Sequence, residues 1–431
     1  MFREARLIRR QGKVTQLVGQ VIEAYNPGSA VGSLCAIYNP DTNSRVLAEV
    51  IGFRDNKMLL MALGQMPDIG PRCRVIPEDR PPTVRVGFDL LGRVVDGLGR
   101  PIDQKGEVVG AQERPLYAQA INPLHRRRIR EPIDVGVRSI NGLLTCGQGQ
   151  RVGLMSGSGV GKSVLMGMMA RHTTADVNVI AMIGERGREV LEFIERELGP
   201  EGLQRSVMVV ATSDQPPLIR TRAAFLATAV AEFFRDQGKQ VLFMMDSITR
   251  FAMAQREIGL AAGEPPTTKG YPPSVFAFLP KLLERAGMSG TEGSITGFYT
   301  VLVEGDDPND PVGDAVRSIV DGHIFLSRDL AARGQFPAVD VLASTSRVMT
   351  DVISKQHRRD AQAFISTLAS YKEAEDLINI GAYVRGSNPR IDYALSKIDA
   401  MIGYLKQPIE ERASLPHCEA ILQQMFQDYK F

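Results

Sequence analysis

Lys162 and Ser163 follow a run of small residues, Ser156-Gly157-Ser158-Gly159-Val160-Gly161. An apolar run, Val152 to Met155, precedes it, and apolar residues at helical spacing (Val164, Leu165, Met168, Met169) follow it. Strand, glycine-rich loop and helix in that order make a phosphate cradle. Glycines let backbone N–H groups turn inward around anionic oxygens, and the helix presents its positive end to the same charge. Lys162 would reach the β- and γ-phosphates, and the Ser163 hydroxyl would ligate Mg²⁺. The stricter pattern has glycine where Ser156 stands, so the cradle has to tolerate a small side chain at its first position. A glycine turn with no ligand would leave Lys162 beside Ser163 unexplained. The expected nucleotide contacts are therefore Gly157, Gly159, Val160, Gly161, Lys162, Ser163 and Val164.

Two carboxylates close apolar runs further on. Val177 to Ile183 leads into Gly184-Glu185-Arg186-Gly187, and Val241 to Met245 ends at Asp246. Ligands of a parallel α/β sheet sit beyond the carboxyl ends of its strands, which gathers both acids with the phosphate loop at one edge. Asp246 suits the acid that holds Mg²⁺ opposite Lys162. Glu185 suits the group that orients and deprotonates the water attacking the γ-phosphate. Plainer readings exist for each: Asp246-Ser247 can cap the next helix, and Glu185 can pair with Arg186 or Arg188 at the surface.

The elements that must position these groups occupy the middle of the chain. From Val135 to Arg347 apolar runs alternate with amphipathic segments, the pattern of a parallel sheet covered on both faces. Strands are expected at Val177–Ile183, Val207–Val210 and Val241–Met245, and a helix at Leu218–Arg235 with Ala223, Ala227, Val230 and Phe234 inward. Before this core, short apolar runs (Val14–Ala24, Leu34–Tyr38, Val46–Phe53, Met58–Leu63) broken by turn residues predict a small antiparallel barrel or sandwich. Beyond Val348 the pattern is helical: Thr350–Tyr371, Ala374–Ile380, Arg390–Tyr404 and Pro416–Tyr429. The expected domains are 1–82, with a short basic lead 1–12, then 83–347 and 348–431.

Composition narrows the function classes. The 431 residues exceed one ordinary core, and 44% hydrophobic with 23% charged residues is a globular balance. A net charge of +2, from 51 basic and 49 acidic side chains, argues against a strongly electrostatic nucleic-acid binder. The basic run His125 to Arg130 lacks interleaved aromatics and reads as a solvated connector or a subunit-facing edge. Four dispersed cysteines, Cys35, Cys73, Cys146 and Cys418, are expected to be buried reduced thiols, in keeping with the cytosol. No run is long enough to span a bilayer and no signal peptide is expected; Glu4 to Arg10 could form a short basic helix at a membrane or a partner.

Several long motifs carry a family resemblance. The phosphate loop, Gly184 to Glu189, Asp246 to Phe251 and Pro337 to Arg347 resemble the catalytic subunits of rotary ATP synthases. Gly270 to Phe276 and Thr300 to Asp307 are similar to the ATPases of type III protein export, of flagella and injectisomes. The resemblance spans nearly the whole chain and implies an α/β, RecA-like P-loop core with a small N-terminal β-barrel and a C-terminal α-helical domain. It implies ATP and Mg²⁺ as ligands, Lys162 and Ser163 at the phosphates, Glu185 as catalytic carboxylate, Arg186 near the γ-phosphate and Asp246 at the metal. Arg347 matches an arginine that a neighbouring subunit points into the site, and Phe336 stands where the family places an aromatic ring on adenine.

A homo-oligomer, six-membered by resemblance, follows from such a finger, with the loop Gly263 to Ser274 facing its central hole. The implied partners are a stator-like regulator, a central stalk protein, the export gate and export chaperone or substrate complexes. The implied place is cytoplasmic, peripherally at the inner-membrane export apparatus. No nucleic acid is expected: a Rho-like translocase would want stacking aromatics in the first domain, and its candidates, Tyr25, Tyr38 and Phe53, suit a core as well. Two more functions share this core: the catalytic subunit of an ion-translocating rotary ATPase, and a non-catalytic ring subunit, which Glu185 disfavours. Ser158 to Ser163, with Gly381-Ala382-Tyr383 and Gly386 to Pro389, are flagellar-like, whereas Gly142 to Gly147 are injectisome-like. The flagellar reading is favoured.

Overall fold

The computed structural model describes residues 10–66, 68–78, 81–110, 112–303 and 310–429. Six strands, Gly12–Val18, Val21–Tyr25, Leu34–Tyr38, Arg45–Arg54, Lys57–Ala62 and Arg74–Pro77, close into an antiparallel barrel. Alternate residues, among them Ile22, Ala24, Ile37, Val50, Met58 and Leu60, fill its interior. The apolar run Val14–Ala24 is two strands rather than one, because the chain reverses at Gly19 with φ +59°. Tyr25 and Phe53 are exposed on the barrel surface, not core residues. The segment Glu4 to Arg10 lies outside the described residues but for Arg10, as do Asp79, Arg80 and Glu304 to Asp307.

Across the core sheet the strand order is Val339–Ser346, Gly322–Leu326, Arg151–Ser156, Ser294–Leu302, Gln240–Asp246, Val177–Ile183, Ser206–Ala211, Arg93–Asp96. Neighbours pair in parallel except Val339–Ser346, which runs antiparallel along its edge, and Gly287–Met288, which adds a short antiparallel pairing. The parallel sheet expected from the pattern is present through the other strands and gives way to antiparallel pairing at these two places. Central strands such as Val177–Ile183 are buried at every residue, because helices cover both faces. Gly87 to Asp103, irregular by pattern, supplies the edge strand Arg93–Asp96.

Helix Pro217–Asp236 is buried almost all round, polar residues included, which an apolar stripe alone does not foretell. It carries the joint to the barrel. Arg222 donates to the Glu49 carboxylate at 2.7 Å, and the Tyr117 hydroxyl donates to the other oxygen at 2.8 Å. Burial pushes the Glu49 carboxyl pKa up, against the pull of Arg222 and Tyr117.

After a short turn at Met349–Val352 the chain ends in helices Lys355–Asn379, Pro389–Leu405 and Leu415–Phe426. The two helices expected across Thr350 to Ile380 are one of 25 residues, begun by the Ser354 hydroxyl accepting from His357 N–H. No breaker interrupts it at Lys372-Glu373. All four cysteines are free and buried, and burial pushes the Cys146 thiol up to about 12. Among the described residues no helix is long and apolar enough to cross a membrane.

Candidate active site

The strand Arg151–Ser156 lies between two parallel neighbours, so its carboxyl end is held rigidly near the middle of the sheet. From it the chain turns through Gly159 and Gly161, at φ +78° and +86°, into helix Lys162–His172. A side chain would be strained at either glycine, and a turn of this kind lets successive backbone N–H groups converge on an anion. Val160 is buried beneath the loop, whereas Ser163 is exposed at the helix start. Ser156 is buried, its hydroxyl without a hydrogen-bond partner among the described residues, so the serine in place of glycine is accommodated by the strand end.

Asp246 ends a strand two places along, with Ser294–Leu302 between. Lys162 Nζ donates to Asp246 Oδ1 at 2.6 Å, and the Thr300 hydroxyl of the intervening strand donates to the same oxygen at 2.7 Å. Asp246 is 2% exposed, so this charge pair is withdrawn from water. Burial alone would push the Lys162 ammonium pKa down; Asp246 and Glu185 together outweigh it and hold it above the ordinary value. Ser247, accepting from Arg250 N–H, caps the helix Ile248–Ala262, so the capping reading of this dipeptide also holds.

Glu185 follows the neighbouring strand, beyond Gly184 at φ +72°. Burial, then the charge of Asp246, push its carboxyl up to about 7, with Lys162 pulling the other way. A carboxyl poised there is matched to accepting a proton from water near neutral pH. Arg250 packs against Gly184: a methyl group at that glycine would lie 2.9 Å from Arg250 Cβ. Arg186 instead points outward, 79% exposed, and pairs with Glu189 at 3.2 Å.

Behind the loop lies a cavity of about 240 Å³ whose walls include Val160, Gly161, Val164, Phe336, Gln407 and Ile409. The Phe336 ring stands beside Gly161, half exposed, as a base-stacking group would. Phe336 and Arg347 bracket the strand Val339–Ser346 and lie at opposite ends of the sheet. Val339 pairs with Leu326, the partner of Ser156, but Ser346 pairs with Gly322 four residues back. That separates Arg347 from its own phosphate loop by roughly 13 Å along the strands. Arg347 is exposed and donates to the Arg317 carbonyl at 3.4 Å.

One chain thus assembles Lys162, Ser163, Glu185, Asp246 and Phe336 at one edge and leaves Arg347 apart. Sequence reading did not single out Thr300, Arg250, Gln407 or Ile409 as site residues. Thr300 is brought in by strand register, Arg250 by the helix that follows Asp246, and Gln407 and Ile409 by packing of the last domain; Thr300 and Arg250 lie within motifs that carry the resemblance, which gave them no role of their own. For Mg²⁺ the donor set is one hydroxyl and one carboxylate; among the described residues no group of three or more His, Cys, Asp or Glu could hold a metal. That fits an ion that takes most of its ligands from water and phosphate oxygens. In the basic run, Arg126 turns inward to the Ala286 carbonyl at 2.9 Å, which corrects the solvated-connector reading there, while Arg127, Arg128 and Arg130 remain exposed.

Comparison with known proteins gives the family. The ATP synthase alpha/beta family matches over its beta-barrel domain at residues 14–78 and its nucleotide-binding domain at 136–346, and the T3SS EscN ATPase C-terminal domain matches at 353–424. A flagellum-specific ATP synthase of Bacillus subtilis is 54% identical over 96% of this chain and 94% of its own length. A type 3 secretion system ATPase of Xanthomonas euvesicatoria is 50% identical over 97% and 95%. The chain belongs to the type III export ATPases.

This export ATPase also superposes on the assembled ATPase EscN of enteropathogenic E. coli, with a TM-score of 0.91 and 45% identity over 96% of this chain and 99% of that one. The same protein in complex with its central stalk EscO gives 0.88 and 44% over the same shares. As a member of the family the export ATPase binds nucleotide and hydrolyses ATP, and its barrel, α/β core and helical domain are the expected architecture.

Proposed function

We propose that this chain is a flagellar-type export ATPase that hydrolyses MgATP in a ring, at sites shared between neighbouring copies. The observation that carries the reading is the distance of Arg347 from its own phosphate loop. An exposed arginine at the far end of the edge strand serves no site of its own chain, and in a closed ring it meets the next one. There it offsets charge on the transferring phosphoryl group, an effect worth about 10³–10⁵ in rate where such fingers have been measured. Within the chain Lys162 holds the phosphates, Phe336 stacks on the base, and Glu185 takes the proton of the attacking water while Arg250 backs its loop. Ser163 and Asp246 would hold Mg²⁺, which screens phosphate charge when bound. Arg186, paired outward here, becomes a phosphate contact only if it turns from Glu189.

EscN is known assembled and with a central stalk, which supports a ring, six-membered by resemblance, with a stalk partner for this chain too. A stator-like regulator, the export gate and chaperone-bound substrates complete the proposed setting, at the cytoplasmic face of the inner membrane. The flagellar assignment rests on the Ser158–Ser163 and Gly381–Pro389 segments.

The test is complementation in vitro. Arg347→Ala and Lys162→Ala proteins, each inactive, are mixed and allowed to form joint rings. Recovery of part of the ATPase activity is expected, because some interfaces then combine an intact finger with an intact loop. Joint rings without recovery would overturn the shared site.

A further inference from the structure

Gln407 belongs to the segment joining the last two helices, yet it lies in the wall of the cavity beside the phosphate loop. It is 4% exposed and its polar groups are committed in several directions. Its backbone N–H donates to the Phe336 carbonyl at 2.9 Å. Its side-chain oxygen accepts from Arg138 N–H at 2.7 Å, and its amide nitrogen donates to the carbonyls of Gly136 at 2.8 Å and Glu411 at 2.7 Å. Three separate pieces of chain therefore meet on one residue: the approach to the core sheet, the aromatic ring's own peptide, and the helical domain.

The surroundings stiffen the same joint. Asp134 accepts from Gly136 N–H at 2.8 Å and from Leu415 N–H at 3.0 Å, so it too ties core to helical domain. The Arg138 guanidinium donates to the Lys406 carbonyl at 2.9 Å and pairs with Glu411. Of the side chains in the cavity wall only Gln407 is polar, and both donors of its amide are already used within the protein. A base entering there is held by shape and stacking, so its affinity depends on how firmly the ring and the Ile409 wall are placed.

We propose that Gln407 is a positioning residue for the nucleotide base: it fixes Phe336 and the Ile409 wall to each other, so that base binding and the seating of the C-terminal helical domain on the core are set by one joint. The inference rests on the reading of Phe336 as the base-stacking ring.

The test compares a ligand with a base and one without. For wild type, Gln407→Leu and Gln407→Glu, KM and kcat for ATP are measured beside the inhibition constant of inorganic tripolyphosphate, which engages only the phosphate cradle. Gln407→Glu keeps the acceptor for Arg138 and the side-chain shape while losing both amide donations, so it serves if the leucine variant does not fold. Expected is a rise in KM for ATP of about tenfold with kcat within about twofold, and tripolyphosphate inhibition unchanged. An unchanged KM overturns the proposal, and so does a parallel weakening of ATP and tripolyphosphate, which is what a purely structural residue would give. Phe336→Ala separates the two layers of the argument. If that variant raises KM while the Gln407 variants do not, only the role of Gln407 falls; if it leaves KM unchanged, the base reading falls and takes the proposal with it.

Discussion

Two buried ion pairs of the core have the same separation and opposite characters. Arg285 and Glu232 meet at 2.6 Å, and so do Lys162 and Asp246. Arg285 is completely buried, grips both carboxylate oxygens and spends a further N–H on the Leu116 carbonyl at 2.7 Å. Among the described residues Lys162 makes one hydrogen bond, from the mouth of the phosphate cradle, with an ammonium that presents a charge without a fixed fork. Every bond of the first pair is satisfied by protein, and exchanging it would leave charge stranded in the core. The second faces the glycine turn at Gly159 and Gly161, and in the proposed function a phosphate takes over the lysine. The contrast teaches that neither distance nor burial separates a pair that can release a partner from one that cannot; what separates them is whether one partner has somewhere else to go.

The largest effect that would sharpen this contrast is at Glu185, whose carboxyl is disfavoured as an anion by burial and by Asp246. Glu185→Gln should lower kcat by about 10²–10⁴ with nucleotide binding retained, while the thermal midpoint stays level or rises, since a repelled carboxylate is replaced by a neutral amide. Steady-state turnover, nucleotide titration and thermal unfolding check the three parts. Normal turnover would remove Glu185 from the mechanism.

The structural pair should respond in the reverse sense. Arg285→Ala strands Glu232 and is expected to destabilise the protein by about 3–5 kcal/mol, whereas a paired Arg285→Met, Glu232→Leu change recovers most of that. Denaturant unfolding of the single and double variants reads both numbers. A single variant as stable as wild type would erase the distinction drawn between the two pairs.

Legibility in the sequence divides along the same line. The phosphate loop, Glu185 and Asp246 could be found because local pattern defines them: glycines that need positive φ, and acids closing apolar strands. The barrel, core and helical tail were legible for the same reason, through periodicity and turn residues. Gln407 was not, and Thr300 only as the first residue of a family motif with no role attached, because their contacts are created by register and docking across more than fifty residues of chain. Arg347 was legible only through resemblance. That it lies at the other end of the strand from its own phosphate loop follows from the antiparallel course of Val339–Ser346, and periodicity does not reveal strand direction.

A third pair lies between the two extremes and yields the smallest effect. Arg93 forks onto Asp103 at 2.7 and 2.9 Å, as Arg285 does onto Glu232, but at the edge strand of the sheet and nearer to water. The Arg93 hydrogen bonds, outweighing burial and helped by the N–H groups of Val94 and Lys105, hold the Asp103 carboxyl well below its usual range. A carboxyl whose folded pKa is depressed contributes stability that is complete above its unfolded value and is lost as pH falls toward the folded one. Asp103→Asn should therefore lower the thermal midpoint modestly at neutral pH, and the gap from wild type should narrow once pH drops below about 4. Thermal unfolding of both proteins across that range decides it. A gap independent of pH would mean that Asp103 acts through the shape of its turn and not through its charge, and geometry alone would then account for the forked pairs at both depths.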